Sequence, residues 1–356
     1  MKLGLLPPEP KIKLNSELFS LIGEADKAVY QLAGSLSIFP ESSFIIKSLN
    51  FLEAVYSNSI DDHFDKQNSP FKFVMENESE EMKIVNAYVN ALSLGQKFIK
   101  NIASPAQIIK SIHKELCSKK NSQEEIGGKF RNKNLPKKFS TSRFAETKYN
   151  PPSPEELLAL MENLDKHISS DVSYPVLVNA ALIHAQLEMI HPFEMYNGLV
   201  GRILFQLHLL WKKRLTVPAI QISKILYNRR EEYFAALSEL ESSGSWDGWI
   251  KFFLVAVIEA SSNTMLVLRN IYLLEQNDYQ KLLETGLAVS SLKLLDLLFE
   301  KPFITLPFIV KELGLNKQTA NTLLSKFLEI NILHETTGQR RNRIFVYKKL
   351  IDILEC

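Results

Sequence analysis

The stretch "EMIHPFEMYNGLVGRILF", residues 188–205, reads as a helix that is stopped, turned and restarted. The helix leading into it must end near His191, because Pro192 pushes the residue before it out of the α region. His191 is thereby held at a helix C-terminus, its ring directed toward whatever the next loop encloses. Asn197-Gly198 is a dipeptide suited to positive φ, so the chain turns sharply there. A second helix is expected from about Leu199. Its first backbone N–H groups lack intrahelical partners and carry the positive end of the dipole, which makes an anion site. Arg202, on the first turn, adds a planar donor fork suited to phosphate.

A base on one lip of a loop and a phosphate cradle on the other suit nucleotidyl transfer. The cradle would hold and polarise the phosphates while the histidine takes the proton from an attacking hydroxyl. Each feature alone has a plainer reading: His-Pro as a helix stop, Asn-Gly as a turn, the arginine as a solvated or paired cation. Their joint spacing carries the functional one.

Outward from this loop, apolar residues recur at helical spacing and only 13 glycines interrupt them, which predicts a mainly α chain. Residues 16–62 give two helical stretches broken near Phe39-Pro40, and residues 80–117 continue helical. Between Cys117 and Glu156 the character changes. Gly127-Gly128 is followed by six basic residues from Arg131 to Lys148 and then by Pro151, Pro152 and Pro154. This predicts a loop with a short hairpin, ending where Ser153 and Glu156 form a capping-box pattern for the next helix. Residues 174–268 are helical again with short breaks. After residue 286 the order is helix, helix, turn at Gly314, helix, and two short β-like runs around Gly338. That is the winged-helix pattern. Lys317, Lys326, Arg340, Arg341 and Arg343 could there face the phosphates of DNA, with dimerisation or regulation as the other reading.

With 356 residues and a net charge of +2, the chain has no global field to recruit nucleic acid or membrane, so any basic surface must be local. Cys117 and Cys356 lie far apart with no metal-ligand spacing, which predicts two thiols in a reducing cytoplasm. The start, "MKLGLLPPEPKIK", has too short an apolar run for a secretory signal. "WIKFFLVAVIEASSNTMLVL" is broken by Lys251 and Glu259 and is expected to be a core helix rather than a membrane span.

The loop sequence "HPFEMYNGLVGR" resembles the Fic (Fido-domain) signature HPFx(D/E)GNGRxxR, matching it at His191, Pro192, Phe193, Asn197, Gly198 and Arg202. The flanks "YNPPSPEELLALMENL", "AALIHAQLEMIHPF" and "ISKILYNRREEYFAAL" are also similar to Fic flanks, and the resemblance covers roughly residues 20–260. It implies a helical N-terminal region over 1–120, a Fic core over 121–270 with a β-hairpin flap at 129–148, and a winged-helix domain at 287–356. It also implies transfer of AMP from ATP, or of another nucleotide, to a hydroxyl side chain of a protein. His191 would be the general base, and Asn197, Gly198 and Arg202 would hold phosphates. Tyr233 and Phe234 would lie near the nucleoside, and the flap would dock the target protein by strand addition. A homodimer is compatible with the family.

Three departures imply a weakened or altered enzyme. Met195 stands where the family's acidic Mg²⁺ ligand would be, and a thioether suits a hard cation poorly. Tyr196 replaces a glycine, and Leu199 replaces the first signature arginine. The alternative from another class is a catalytically inactive Fic scaffold regulating nucleic acid or protein through its winged helix. A second motif, (S/T)xxxE(G/N), belongs to the family's inhibitory helix and is matched over about 48–62 by Ser57, Asp61 and Asp62. Asp in place of Glu shortens the reach by roughly 1.5 Å, which predicts a strained or broken pair with Arg202. A metal site from His184, Glu188 and His191, on one helix face, is the third reading. It does not match HExxH, and a core-facing His184 is expected instead.

Overall fold

The computed structural model describes residues 4–9, 11–38, 43–61, 80–100, 104–118, 124–135, 151–170, 174–284, 289–339 and 343–355. The chain runs α1 (Ser16–Leu36), α2 (Phe44–Ile60), α3 (Glu80–Lys100), α4 (Pro105–Cys117), α5 (Pro154–Ser169), α6 (Val176–Ile190), α7 (Asn197–Trp211), α8 (Ile222–Asn228), α9 (Arg230–Ser243) and α10 (Trp246–Glu284). It continues with α11 (Val289–Glu300), β1 (Phe303–Thr305), α12 (Leu306–Leu313), α13 (Lys317–Glu329), β2 (His334–Glu335), β3 (Ile344–Val346) and α14 (Lys348–Glu355). The protein is mainly helical, as its periodicity predicts.

The chain divides into two units, residues 1–37 with 50–264, and residues 38–49 with 265–356. In the first, α6 and α7 are buried on nearly every side, which a helix tolerates only at the centre of a bundle. They pack on each other, and α1, α3, α4 and α5 surround them. Of the expected N-terminal region 1–120, residues 1–37 and 50–120 share this unit with the core, and residues 38–49 go with the second. The physical reason is that α3 and α4 supply the apolar wall that α7 needs. The expected core helix begins α10, where Trp249, Ile250, Phe253, Leu254 and Val257 are buried.

In the second unit the order from α11 onward is the expected one with two additions, β1 between α11 and α12, and α14 after β3. The three strands form an antiparallel sheet in the order β1-β3-β2, with Phe303 opposite Val346 and His334 opposite the same residue. Gly314 ends α12 at φ 63°, a left-handed conformation that costs glycine nothing. Ala320, Leu323, Leu324 and Phe327 bury one face of α13. Arg340 and Arg341, most of the expected flap (136–148), Asp62 and Cys356 lie outside the described residues. The described residues 129–135 contain no strand.

Candidate functional site

The loop between α6 and α7 is built on local backbone constraints. α6 ends at Ile190, and His191 turns left-handed at φ 47°, ψ 63°. Its Nδ1 lies 2.7 Å from the Glu188 carbonyl oxygen. A carbonyl can only accept, so Nδ1 carries the hydrogen and Nε2 is the basic nitrogen. Burial, together with Arg131 and against the pull of the Glu188 carbonyl and Asp61, lowers the His191 pKa to about 3, so the ring is neutral at pH 7. The restart comes earlier than expected. α7 begins at Asn197, with Tyr196 held at φ 59° where a glycine would sit without strain.

Asn197 accepts the Phe193 N–H through Oδ1 at 2.9 Å and donates to the Phe193 carbonyl through Nδ2 at 2.9 Å. Its amide, expected to face phosphate, is used to close the loop. Phe193 in turn stacks on His113 with centroids 3.8 Å apart. The His113 Nδ1 accepts the Gly128 N–H at 2.9 Å, which fixes the ring beneath the loop.

A residue that sequence reasoning missed holds the loop from outside. Arg131 is 3% exposed and has four carbonyl acceptors among the described residues. Its Nε donates to His191 O at 2.7 Å, and its terminal nitrogens donate to Pro152 O at 2.5 Å, Lys133 O at 3.2 Å and Ile190 O at 3.4 Å. Its own N–H donates to Pro192 O at 2.9 Å. The cation sits where the last carbonyls of α6 concentrate negative potential. In the sequence it was one of six basic residues in a row of loop signals, with nothing to mark it out.

On the other lip lies Arg202, 1% exposed. Its Nε donates to Ser57 Oγ at 2.7 Å, and one terminal nitrogen donates to Ser57 O at 3.0 Å and to Asp61 Oδ2 at 2.6 Å. The pair with Asp61, expected to be strained or broken, is made: the shorter side chain reaches. The reason is that the α2 backbone itself, through the Ser57 carbonyl, touches the guanidinium. Burial opposes the charge on Arg202, but Asp61, then Tyr233 and Glu188, hold its pKa above the usual range. A Cβ on Gly198 would lie 2.7 Å from Asp61 Oδ2 and 2.8 Å from an Arg202 nitrogen, so only glycine lets the pair approach the first turn of α7. A carboxylate of the chain itself occupies the position expected for an anion.

Behind this pair the structure gathers further buried polar groups. Glu53, a second residue missed from sequence, lies one helical turn before Ser57 on the same face of α2, with Asp61 just past the end of the helix. It accepts the Ser223 hydroxyl at 2.5 Å and the Ser223 N–H at 3.0 Å. The four-residue spacing of Glu53, Ser57 and Asp61 was a signal that could have found it. Burial raises the Glu53 pKa to about 7 against the pull of Ser223 and Arg202, and it raises Glu188 to about 7 against Arg202. Tyr233, expected near a nucleoside, is 1% exposed, with its hydroxyl 3.0 Å from His184 Nε2. His184 stacks parallel to Trp249, as a core histidine would. Among the described residues no group of three or more His, Cys, Asp or Glu could hold a metal ion, so His184, Glu188 and His191 form no such site.

Residues 103–209, which contain this loop, match the Fic/DOC family. Over 110 residues the chain is 30% identical to a probable protein adenylyltransferase of Aquifex aeolicus, spanning 30% of this chain and 32% of that one. The fold is similar to a Fic family protein of Desulfovibrio desulfuricans (TM-score 0.58, 15% identity, covering 94% of this chain and 97% of that one). It is also similar to a Fic-domain signalling protein of Bacteroides thetaiotaomicron (TM-score 0.53, 14% identity, 69% and 98% covered). Residues 103–209 are thus similar to the Fic/DOC family, and the loop that joins α6 to α7 lies within the matched segment.

Proposed function

We propose that the Fic/DOC domain transfers the adenylyl group of ATP to a hydroxyl side chain of a protein, and that the conformation described here is its latched state. The observation that carries this reading is the Asp61 carboxylate seated on Arg202 against Gly198, an anion held where the helix N-terminus and guanidinium would hold a phosphate. His191 Nε2 takes the proton from the attacking hydroxyl. The hydroxyl oxygen bonds to the α-phosphorus, the bond from that phosphorus to the bridging oxygen breaks, and pyrophosphate leaves with the electron pair. Arg202, once Asp61 has withdrawn, binds the departing phosphates. Ser57 and Asp61 are the autoinhibitory pair, and the target chain docks along 129–148.

Mg²⁺ fits this loop poorly. Met195 offers a thioether, and the Asp61 carboxylate is engaged by Arg202. No step is assigned to the ion. A second reading, an inactive Fic scaffold, is favoured by Leu199, whose fully buried side chain replaces a phosphate-binding arginine.

Mass spectrometry after incubation with ATP, GTP, CTP or UTP and Mg²⁺ separates the two. The expected result is a nucleotide adduct on a hydroxyl residue, weak in the wild type, stronger in Asp61→Gly, stronger again with added Met195→Asp, and absent in Asp61→Gly/His191→Ala. No adduct on the protein or in a lysate with any of the four nucleotides, even in Asp61→Gly/Met195→Asp, would leave the scaffold reading.

A further inference from the structure

α13 presents a face that the transfer reaction does not use. Ala320, Leu323, Leu324 and Phe327 point into the second unit, and the opposite face exposes Lys317, Gln318, Asn321, Thr322, Ser325 and Lys326. From Leu313 to Leu328 the sequence contains no carboxylate. The helix is entered through the left-handed Gly314, and the Asn316 side chain caps it by accepting the Thr319 N–H at 2.8 Å. It leaves directly into the hairpin, because the N–H groups of Ile332 and Leu333 both donate to the Phe327 carbonyl. On β3, Arg343 is 46% exposed, its guanidinium lying over the Phe345 ring at 5.0 Å and 4.0 Å from the Glu335 carboxylate, a long contact that a phosphate would compete for.

We propose that this face reads the base edges of duplex DNA in the major groove, with Gln318 and Asn321 as the specificity-determining residues and Lys317, Lys326 and Arg343 on the phosphates. Three features of the surface favour this partner. First, between its two lysines the face is uncharged but rich in side chains that both donate and accept, and Gln and Asn are the residues that pair bidentately with adenine. An acidic peptide would be met by more cations than two lysines. Second, Gln318 and Asn321 lie in the first half of the second helix of a helix–turn–helix, the part that contacts base edges when such a helix enters the groove. Third, the lysines sit one at each end of the face, as phosphate contacts on the two sides of a groove require, and no carboxylate between them repels the backbone. Double-stranded RNA is disfavoured because its deep, narrow major groove does not admit a helix.

The proposal is independent of nucleotide transfer, so it is tested without nucleotide. The full chain is used to select binders from a pool of random duplexes, and affinities for the enriched duplex and for a scrambled one are measured by anisotropy across roughly 50–200 mM salt. The enriched duplex should bind at least about a hundredfold more tightly than the scrambled one. Gln318→Ala and Asn321→Ala should each lose roughly tenfold of that preference at one base position while keeping the salt slope. Lys317→Ala and Lys326→Ala should weaken both duplexes alike and lower the slope by about one each. All four positions are exposed, and circular dichroism checks that the variants remain folded. Failure of the folded wild type to bind any duplex at about 50 mM salt overturns the proposal. So does binding with no sequence preference, or a preference that Gln318→Ala and Asn321→Ala leave intact.

Discussion

Arg202 and Asp61 bear unequal shares of their ion pair. The guanidinium is sealed in the core, whereas the carboxylate keeps about a quarter of its side-chain surface in solvent. Removing the carboxylate therefore leaves a buried cation without its counter-charge, at a cost of about 3 kcal/mol. Asp61→Gly is expected to melt earlier than wild type, and added ATP or pyrophosphate should restore most of the loss by taking the vacated position. The wild type should respond far less to the same anions. Thermal denaturation with and without ligand measures both. Equal ligand shifts in the two proteins would mean that the anion binds away from Arg202. Among single residues, His191 and Arg202 were legible because Pro192 and the Asn-Gly turn fix the backbone around them. Asn197 was read as a ligand because side-chain type alone does not say whether an amide faces outward or closes its own loop. Arg131 left no local mark, since its four acceptors come from segments about 2 to 60 residues away.

At the scale of elements, the α6–α7 pair was readable from its stop and restart, while the attachment of α2 was readable only in part. The Ser57–Asp61 spacing pointed to Arg202. The bond from Glu53 to Ser223 joins residues 170 apart and depends on tertiary packing alone. The loop and segment 131–133 are likewise joined through one residue, Arg131, by its side chain and its backbone N–H. Arg131→Lys keeps the charge but cannot span His191 O, Pro152 O and Lys133 O with one ammonium. It is expected to lose about 2 kcal/mol in urea denaturation, since hydrogen bonds to charged groups are worth roughly 1.5–3 kcal/mol each and a lysine recovers some of them. It should also lower transfer activity in the Asp61→Gly background. An unchanged urea midpoint would show that solvent satisfies those carbonyls and that Arg131 holds nothing.

For the whole molecule, burial of titratable groups sets the pH dependence of stability. His113, His184, His191 and His208 are lowered from 6.5 to about 4, 3, 3 and 4, in each case chiefly by burial. Between those values and 6.5 the unfolded chain binds more protons than the folded one, so these groups make stability rise with pH up to about 6.5. Glu53 and Glu188 are raised from 4.5 to about 7, so the folded chain binds more protons there and their contribution falls as pH rises to about 7. Four rising terms outweigh two falling ones, and the two falling ones outlast them by half a unit. Stability should climb from pH 4.5 and level off near pH 7, where the rising and falling slopes cancel, and Glu53→Gln, by removing one falling contribution, should steepen the climb between about pH 5 and 7. Urea midpoints measured every half unit would contradict this if stability fell steadily from pH 4.5. None of these shifts was legible in the sequence, because they arise from enclosure by helices far apart in the chain. The helical class was legible, since periodicity is local.

The seating of Asp61 on Arg202 makes the carboxylate a tethered competitor for its own binding site. Its strength as a competitor is an effective concentration, set by how firmly α2 is held, and nucleotide must displace it at that concentration. Linkage then requires reciprocity: whatever factor nucleotide applies to the release of α2, loosening α2 must apply to nucleotide affinity. A change at Glu53, which does not touch the anion position, would on these terms tune the ATP concentration at which the domain responds.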